Sequence, residues 1–324
     1  MTSEPAISVI IPVKNRAELL KATLNNILQQ TLPPTEIIVV DDGSTDHLPD
    51  VKVQFQGKVR FVENPGKGPG AARNHGLQLA SGKYIQFFDS DDLMTLDKLR
   101  LQAEALEKTG ADMAYGPYVQ AFEQSTGVWE QRDVVMQQRA LPRAKSLTSV
   151  LLLGWNCITQ SCLFRKSFLE KAPAWNEQLI THEDYLFLFN LSLKNPRLAH
   201  TPDAGVIYRM HGSQSTENNT NTLSRSADKL AVLRQMDLAL KDLDATFYEN
   251  WNFFGRCYLT AAHFVKSGGD KKVTSNFLSN KHLLASFLYR WHNKMERKAT
   301  GTNWESMHGV GKTSEDFNKL VKSV

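Results

Sequence analysis

A chain of 324 residues is long enough for two domains, or for one large domain with an appendage. With 41% hydrophobic and 22% charged residues it has the composition of an ordinary folded protein, which excludes global disorder. The formal net charge of +4 is unevenly spread: residues 1–220 carry 22 Lys/Arg against 24 Asp/Glu, and residues 221–324 carry 16 against 10, which speaks against whole-protein nucleic-acid binding.

The first hundred residues alternate strand and helix signals. Residues 7–13 (ISVIIPV) form a short β-branched run suited to a strand buried on both faces. Residues 17–30 place Leu20, Leu24, Ile27 and Leu28 at helical spacing, and Pro33-Pro34 ends that segment. Residues 36–40 (EIIVV) predict a second buried strand that runs into Asp41-Asp42-Gly43-Ser44. A third short strand is expected at 59–62, then a Gly/Pro-rich loop at 64–70 and a helix over 71–80. Residues 83–88 (KYIQFF) make a fourth strand, again ending in acids, Asp89-Ser90-Asp91-Asp92. Repeated β-α-β units predict a doubly wound, mostly parallel sheet with ligands at the carboxyl ends of its strands.

Beyond this the pattern is less regular. Helices are expected at 95–108, 146–153, 165–171 and from about 183, and strands at 112–122, 128–136 and 205–209. Residues 217–221 read as a polar linker, which divides a domain at 1–220 from a helical region at 221–324. In that region helices are expected around Leu230–Leu243, at 247–266 with Gly268-Gly269 closing it, and at 274–298. No apolar run approaches the ~18–20 residues that span a bilayer. No signal peptide is expected, and three sparse cysteines, Cys157, Cys162 and Cys257, suit a reducing cytoplasm.

The informative pattern is a pair of acidic turns, each directly after a buried strand. In Asp89-Ser90-Asp91 the first and third carboxylates can converge on a hard divalent cation, Mg²⁺ or Mn²⁺. The bland alternative is a turn in which Asp92 caps the next helix. In the earlier turn a carboxylate can accept the imide N–H of a pyrimidine, although Asp-Asp-Gly-Ser is also a good turn sequence.

Together these segments resemble the family-2 glycosyltransferases. The resemblance rests on Ser8-Val9-Ile10-Ile11-Pro12-Val13-Lys14-Asn15-Arg16, Ile38-Val39-Val40-Asp41-Asp42-Gly43-Ser44-Thr45-Asp46, Gly70-Ala71-Ala72-Arg73-Asn74-His75-Gly76 and Gly82-Lys83-Tyr84-Ile85-Gln86-Phe87-Phe88-Asp89-Ser90-Asp91-Asp92. It implies a GT-A fold: an α/β, doubly wound mixed sheet, mostly parallel and flanked by helices, here with a C-terminal helical appendage. It also implies a metal-dependent, inverting transfer of sugar from a nucleoside-diphosphate donor, UDP first, to an acceptor hydroxyl on a glycan, a lipid-linked molecule or another compound. By the resemblance Pro12, Val13, Lys14, Arg16 and Asp42 line the nucleoside pocket. Arg73 approaches the diphosphate, while Asp89, Ser90 and Asp91 meet the ribose and the metal. The alternatives for Pro12 and Arg73 are a strand terminator and an ion pair with a nearby acid such as Asp42.

An acceptor hydroxyl must lose its proton as it attacks, and a carboxylate in reach can take it. The resemblance gives that part to Asp184 in Thr181-His182-Glu183-Asp184-Tyr185, with Glu183 as alternate; without it, both read as first-turn acids that complement a helix dipole. His211, in an Arg-x-His that many relatives share, is expected on the metal or the diphosphate, or as a structural hydrogen-bonder. Trp155 and Trp175 read either as a stacking platform for an acceptor sugar or as core. The chain lacks the Gln-x-x-Arg-Trp motif and membrane helices of the processive synthases, so a single-addition enzyme is expected.

Competing readings are weaker. No glycine-rich loop follows the first strand, as a nucleotidyltransferase or a Rossmann dehydrogenase would need. A non-catalytic nucleotide-sugar or glycan binding module is the alternative from another class. For the basic C-terminal third, with its 287–291 aromatic cluster beside Lys294, Arg297 and Lys298, two partners are expected: the inner face of an anionic membrane or a second copy of the chain.

Overall fold

The computed structural model describes residues 5–124, 129–141, 145–155, 157–211, 222–240 and 247–299, with backbone only at 132–133, 247–248 and 291–299. The architecture is α/β. Strands β1 (Ile7–Val13), β2 (Glu36–Asp41), β3 (Arg60–Glu63) and β4 (Tyr84–Phe87) alternate with helices α1 (Ala17–Leu28), α2 (Leu48–Gln54) and α3 (Gly68–Leu79). There follow β5 (Leu93–Met94), α4 (Lys98–Thr109), β6 (Met113–Tyr115), β7 (Tyr118–Glu123), β8 (Trp129–Met136) and α5 (Leu147–Leu152). A 3₁₀ turn at Thr159–Ser161 leads to β9 (Cys162–Arg165), α6 (Lys166–Leu169), α7 (Glu183–Ser192), β10 (Leu198–His200) and β11 (Val206–Met210). The C-terminal helices are α8 (Thr222–Ala239), α9 (Phe247–Lys266), α10 (Lys271–Ser275) and α11 (Asn280–Ala299).

The large sheet has seven strands in the order β10-β6-β9-β4-β1-β2-β3, and a second sheet has the order β5-β11-β7-β8. In the large sheet β3, β2, β1 and β4 run parallel, and β9 alone runs antiparallel, between β4 and β6. Each face of β1 and β2 is apolar because each face is covered. Val9, Ile11, Ile37 and Val39 join Leu20, Leu24 and Ile27 of α1 and Leu99 and Leu106 of α4 in one core cluster. Ile10, Ile38 and Val40 join Leu186 and Phe187 of α7, and Leu230, Leu233 and Phe253 of the C-terminal helices, in the other. Each such leucine or phenylalanine, fully buried, contributes about 1.5–3 kcal/mol relative to exposure. Helix α3 lies hard against the sheet, and a Cβ at Gly76 would fall 2.3 Å from Ile10 Cγ2, so only glycine permits that approach.

The expected strand at 112–122 is two strands in different sheets. Pro117 has no N–H for a ladder, and the chain turns there from the large sheet to the small one. The expected helix at 165–171 shrinks to four residues, because 162–165 is the antiparallel strand β9. Four residues buried on both faces carry no readable period. The short elements α2, β5 and β10 also lacked a signal. Helix α8 starts at Thr222, well before Leu230, and the helix expected at 274–298 is broken between Ser275 and Asn280. Residues 217–221 and Leu243 lie outside the described residues.

Candidate active site

Parallel neighbours end at the same edge of a sheet, so the turns after β1, β2 and β4 meet there. Asp42 N–H donates to Val13 O at 2.8 Å, and Phe88 N–H to Ile10 O at 2.9 Å, which ties the three turns together. A cleft of about 810 Å³ opens at this edge, within the usual range for small-molecule sites. Pro12, Val13, Lys14, Arg16, Asp42, Arg73, Asp89, Ser90, Asp91, Asp184 and His211 all line it.

The nucleoside end is rigid. Asp42 Oδ1 accepts from Asn64 Nδ2 (2.7 Å) and from the Gly68 N–H at the start of α3 (2.8 Å). Its Oδ2 pairs with the half-exposed Lys14 at 3.2 Å. Asn15, at φ +53°, exchanges hydrogen bonds with Ser44 and Thr45, and Asp46 Oδ2 accepts the Ala17 N–H at the start of α1. The turn sequence and the binding candidate are therefore one structure.

Arg73 is not paired with Asp42. Its guanidinium is nearly buried and bridges Asp89 Oδ1 (2.7 Å) and Glu183 Oε1 (2.8 Å), with its carbon 4.5 Å from the Trp175 ring centroid. Burial alone would lower its pKa, but Asp89 and Glu183 outweigh burial and hold it charged, above its ordinary value. Two of its nitrogens are thus committed to acids of this chain, while Nε is buried without a hydrogen-bond partner. Asp89 Oδ2 also accepts from Gln160 Nε2, and Asp91 Oδ2 contacts both Arg16 and His211, the latter at 2.9 Å. Burial raises the Asp91 pKa, but the His211 hydrogen bond and the Arg16 charge outweigh it and hold the carboxylate ionised.

Asp92 does not cap a helix; Asp97 stands before α4. Asp92 is fully buried, its Oδ1 accepts the Arg209 N–H at 3.0 Å, and its Oδ2 has no partner. Burial, then Asp91 and Asp89, push its pKa well above the ordinary value. One carboxylate oxygen from each of Asp89, Asp91 and Asp92 lies within 4.8 Å of the other two. Three crowded hard donor groups, one of them with an unpartnered carboxylate oxygen, fit a divalent cation. His211 stands beside this trio through Asp91, carried there by β11.

Asp184 and Glu183 occupy the first turn of α7. Burial pushes Asp184 upward, opposed by the Arg73 charge. Glu183, held in its ion pair, is pushed up to about 7, again chiefly by burial. Trp155 and Trp175 are both core: Trp175 stacks on Phe187 at 4.0 Å, and Trp155 packs edge-on against Tyr115. The sequence reading missed Asp92 as a third donor and gave no role to Gln160, whose segment shows no motif, or to Arg209, although the Arg-x-His pattern contains it.

Comparison with known proteins bears on the family and the fold. Residues 8–172 match the model for glycosyl transferase family 2. The chain belongs to that family. The chain spans only about a fifth of the length of several curated glycosyltransferases that it resembles. It is 26% identical over 227 residues (69% of this chain, 85% of the other) to WfaP of Escherichia coli, a UDP-Glc:alpha-D-GlcNAc-diphosphoundecaprenol beta-1,3-glucosyltransferase. Among solved structures, S. aureus TarS 1-349 in complex with UDP-GlcNAc is similar at TM-score 0.60 and 20% identity, covering 80% of this chain and 73% of that one. The mannosyltransferase PcManGT from Pyrobaculum calidifontis, in complex with GDP-Man and Mn²⁺, is similar at TM-score 0.56 and 17% identity, covering 95% and 85%. The fold of this family member is therefore the GT-A glycosyltransferase fold.

Proposed function

We propose that this chain is a metal-dependent, inverting glycosyltransferase that adds one sugar from a nucleoside-diphosphate donor to an acceptor hydroxyl. The observation that carries the reading is the meeting of Asp42, Asp89–Asp91 and Asp184 in one cleft. Residues 1–220 form the donor-binding and catalytic domain. UDP is the preferred nucleotide: Asp42 is held where its carboxylate can accept a pyrimidine imide, and both WfaP and TarS are described with UDP-sugars.

Asp89 and Asp91, with Asp92 beside them, would hold Mn²⁺ or Mg²⁺, and His211 supports Asp91. The bound cation would offset the charge that develops on the departing diphosphate. Arg73 fixes Asp89 and Glu183 in their places, so both walls of the cleft keep their spacing. Asp184 takes the acceptor proton; burial, by raising its affinity for a proton, brings it closer to what a general base requires. The acceptor is a glycan or lipid-linked hydroxyl, the latter by analogy with WfaP.

The test is donor turnover with purified protein, with and without Mn²⁺, across UDP-, dTDP- and GDP-sugars. Metal-dependent release of UDP with transfer is expected, and Asp91→Ala should abolish it. Binding of UDP with no sugar released from any donor would favour the binding module instead.

We place the protein on the cytoplasmic face of a membrane, with residues 221–324 as the contact. No helix among the described residues is long and apolar enough to cross a bilayer. What supports surface contact is the exposed apolar stripe Leu283, Leu284, Phe287 and Leu288 on α11, with exposed Arg290 on the same helix and exposed Lys271 and Lys272 on α10. That charge suits anionic lipid. The side chains of Trp291, Lys294, Arg297 and Lys298 lie outside the described residues. Flotation with anionic liposomes at low salt is expected, and Phe287→Ser should weaken it. A stable dimer with no flotation would assign the stripe to a second copy of the chain.

A further inference from the structure

Asp184 is the second residue of α7, and the chain reaches it through an unfavourable bend. His182 has φ +63°, a left-handed conformation that residues other than glycine rarely adopt and that persists where other contacts enforce it. The segment just before the bend is contacted from the C-terminal helices. Asp228 on α8 accepts three hydrogen bonds through one oxygen, Oδ2: from Ile180 N–H (3.2 Å), Thr181 N–H (3.0 Å) and Thr181 Oγ1 (3.1 Å). Ile180, Thr181 and His182 all line the cleft.

A second tether acts one turn further on. Tyr185 donates its hydroxyl to Leu151 O, and Arg256 of α9, buried beside it, donates to Leu151 O (3.0 Å) and Leu152 O (2.6 Å). The residues that flank the Glu183-Asp184 pair on either side are thus each fastened through groups of the C-terminal helices.

We propose that Asp228 is a positioning residue for sugar transfer: it enforces the bend at 180–182 and so fixes the direction of Asp184 into the cleft. This rests on the reading of Asp184 as proton acceptor. It gives α8 a part in the reaction although none of its residues lines the cleft. An acceptor hydroxyl must lie within hydrogen-bond reach of its base, and small displacements of such a pair cost rate steeply.

The experiment compares Asp228→Ala, Asp228→Asn and Leu233→Ala with the parent and with Asp184→Asn, all assayed where melting curves show them folded. Asp228→Ala should lower kcat by about 10- to 100-fold while the donor KM stays within about 2-fold. Asn can present its carbonyl oxygen where Oδ2 stands, so Asp228→Asn should recover most of that loss. Leu233→Ala, a buried change on the same helix, should lower the melting temperature with kcat unchanged. His182→Gly, which needs no enforcement at φ +63°, should soften the effect of Asp228→Ala. Should Asp228→Ala not fold, Thr181→Val removes one of the three bonds and is read in the same way. Unchanged kcat in Asp228→Ala, or an equal loss in Leu233→Ala, overturns the inference. Retained activity in Asp184→Asn overturns the reading of the base instead.

Discussion

The two walls of the cleft are built by different means. One wall, from Pro12 to Asp91, consists of turns that follow β1, β2 and β4, strands that pair as parallel neighbours. Parallel neighbours end together, so local sequence and sheet order suffice to gather these residues. The other wall, from Gln160 through Asp184 to His211, is joined to the first by long-range side-chain contacts, among them Gln160 to Asp89, Glu183 to Arg73 and His211 to Asp91, between residues 71 to 120 positions apart. The first wall should therefore govern donor binding and tolerate remote change. The second should govern rate and respond to changes far from the cleft.

The largest break is expected at Asp184. Asp184→Asn should lower kcat by about 10²- to 10⁴-fold, the usual worth of a general base, and leave UDP binding by calorimetry intact. As the proposed base Asp184 would act as the carboxylate, and burial raises its pKa, so rate should fall as pH falls through that raised value. The acid limb of kcat should therefore lie above the ordinary carboxylate value of about 4, and a limb at or below it would argue against Asp184 as base.

A smaller and opposite effect belongs to the first wall. Asp42→Ala removes a carboxylate held by Asn64 and Gly68, and should weaken UDP binding by about 10- to 100-fold with kcat at saturation little changed. A loss in kcat with unchanged UDP affinity would erase the distinction between the walls.

The smallest effect lies at their seam. Lys98 is fully buried and donates to Gln86 and Gln102, whose side-chain amides donate in turn to Gln160 O and Ser161 O at the base of the second wall. Burial pushes Lys98 down to about 7 from 10.5. Between those values the unfolded chain binds the extra proton, so this group's contribution to stability rises with pH across that window; below about 7 the full cost of the buried charge is present. Lys98→Met removes the effect. The difference in unfolding free energy should move in the parent's favour by about 1 kcal/mol per unit from pH 7 to 9, and a flat difference would contradict it.

The sequence showed the first wall almost whole. The strands Ile7–Val13 and 36–41, and the acids that follow the second, were legible because a run buried on both faces is continuously apolar and its end is marked by polar turn residues. Helix Phe247–Lys266 was legible from its length and its closing glycines. Strand β9 was not, since four residues carry no period, and the break at Gly116-Pro117 was hidden within a strand-like run.

Taken alone, then, the order of residues determined which carboxylates stand at strand ends and which acid opens α7, because these depend on local pattern and on parallel pairing. It could not say that Arg73 would be shared between Asp89 and Glu183, that Asp92 would be buried with a free oxygen, or that Asp228 would hold the bend before Asp184. Those are long-range pairings of buried polar groups. Which donor meets which acceptor there is decided only when packing has removed water from around both.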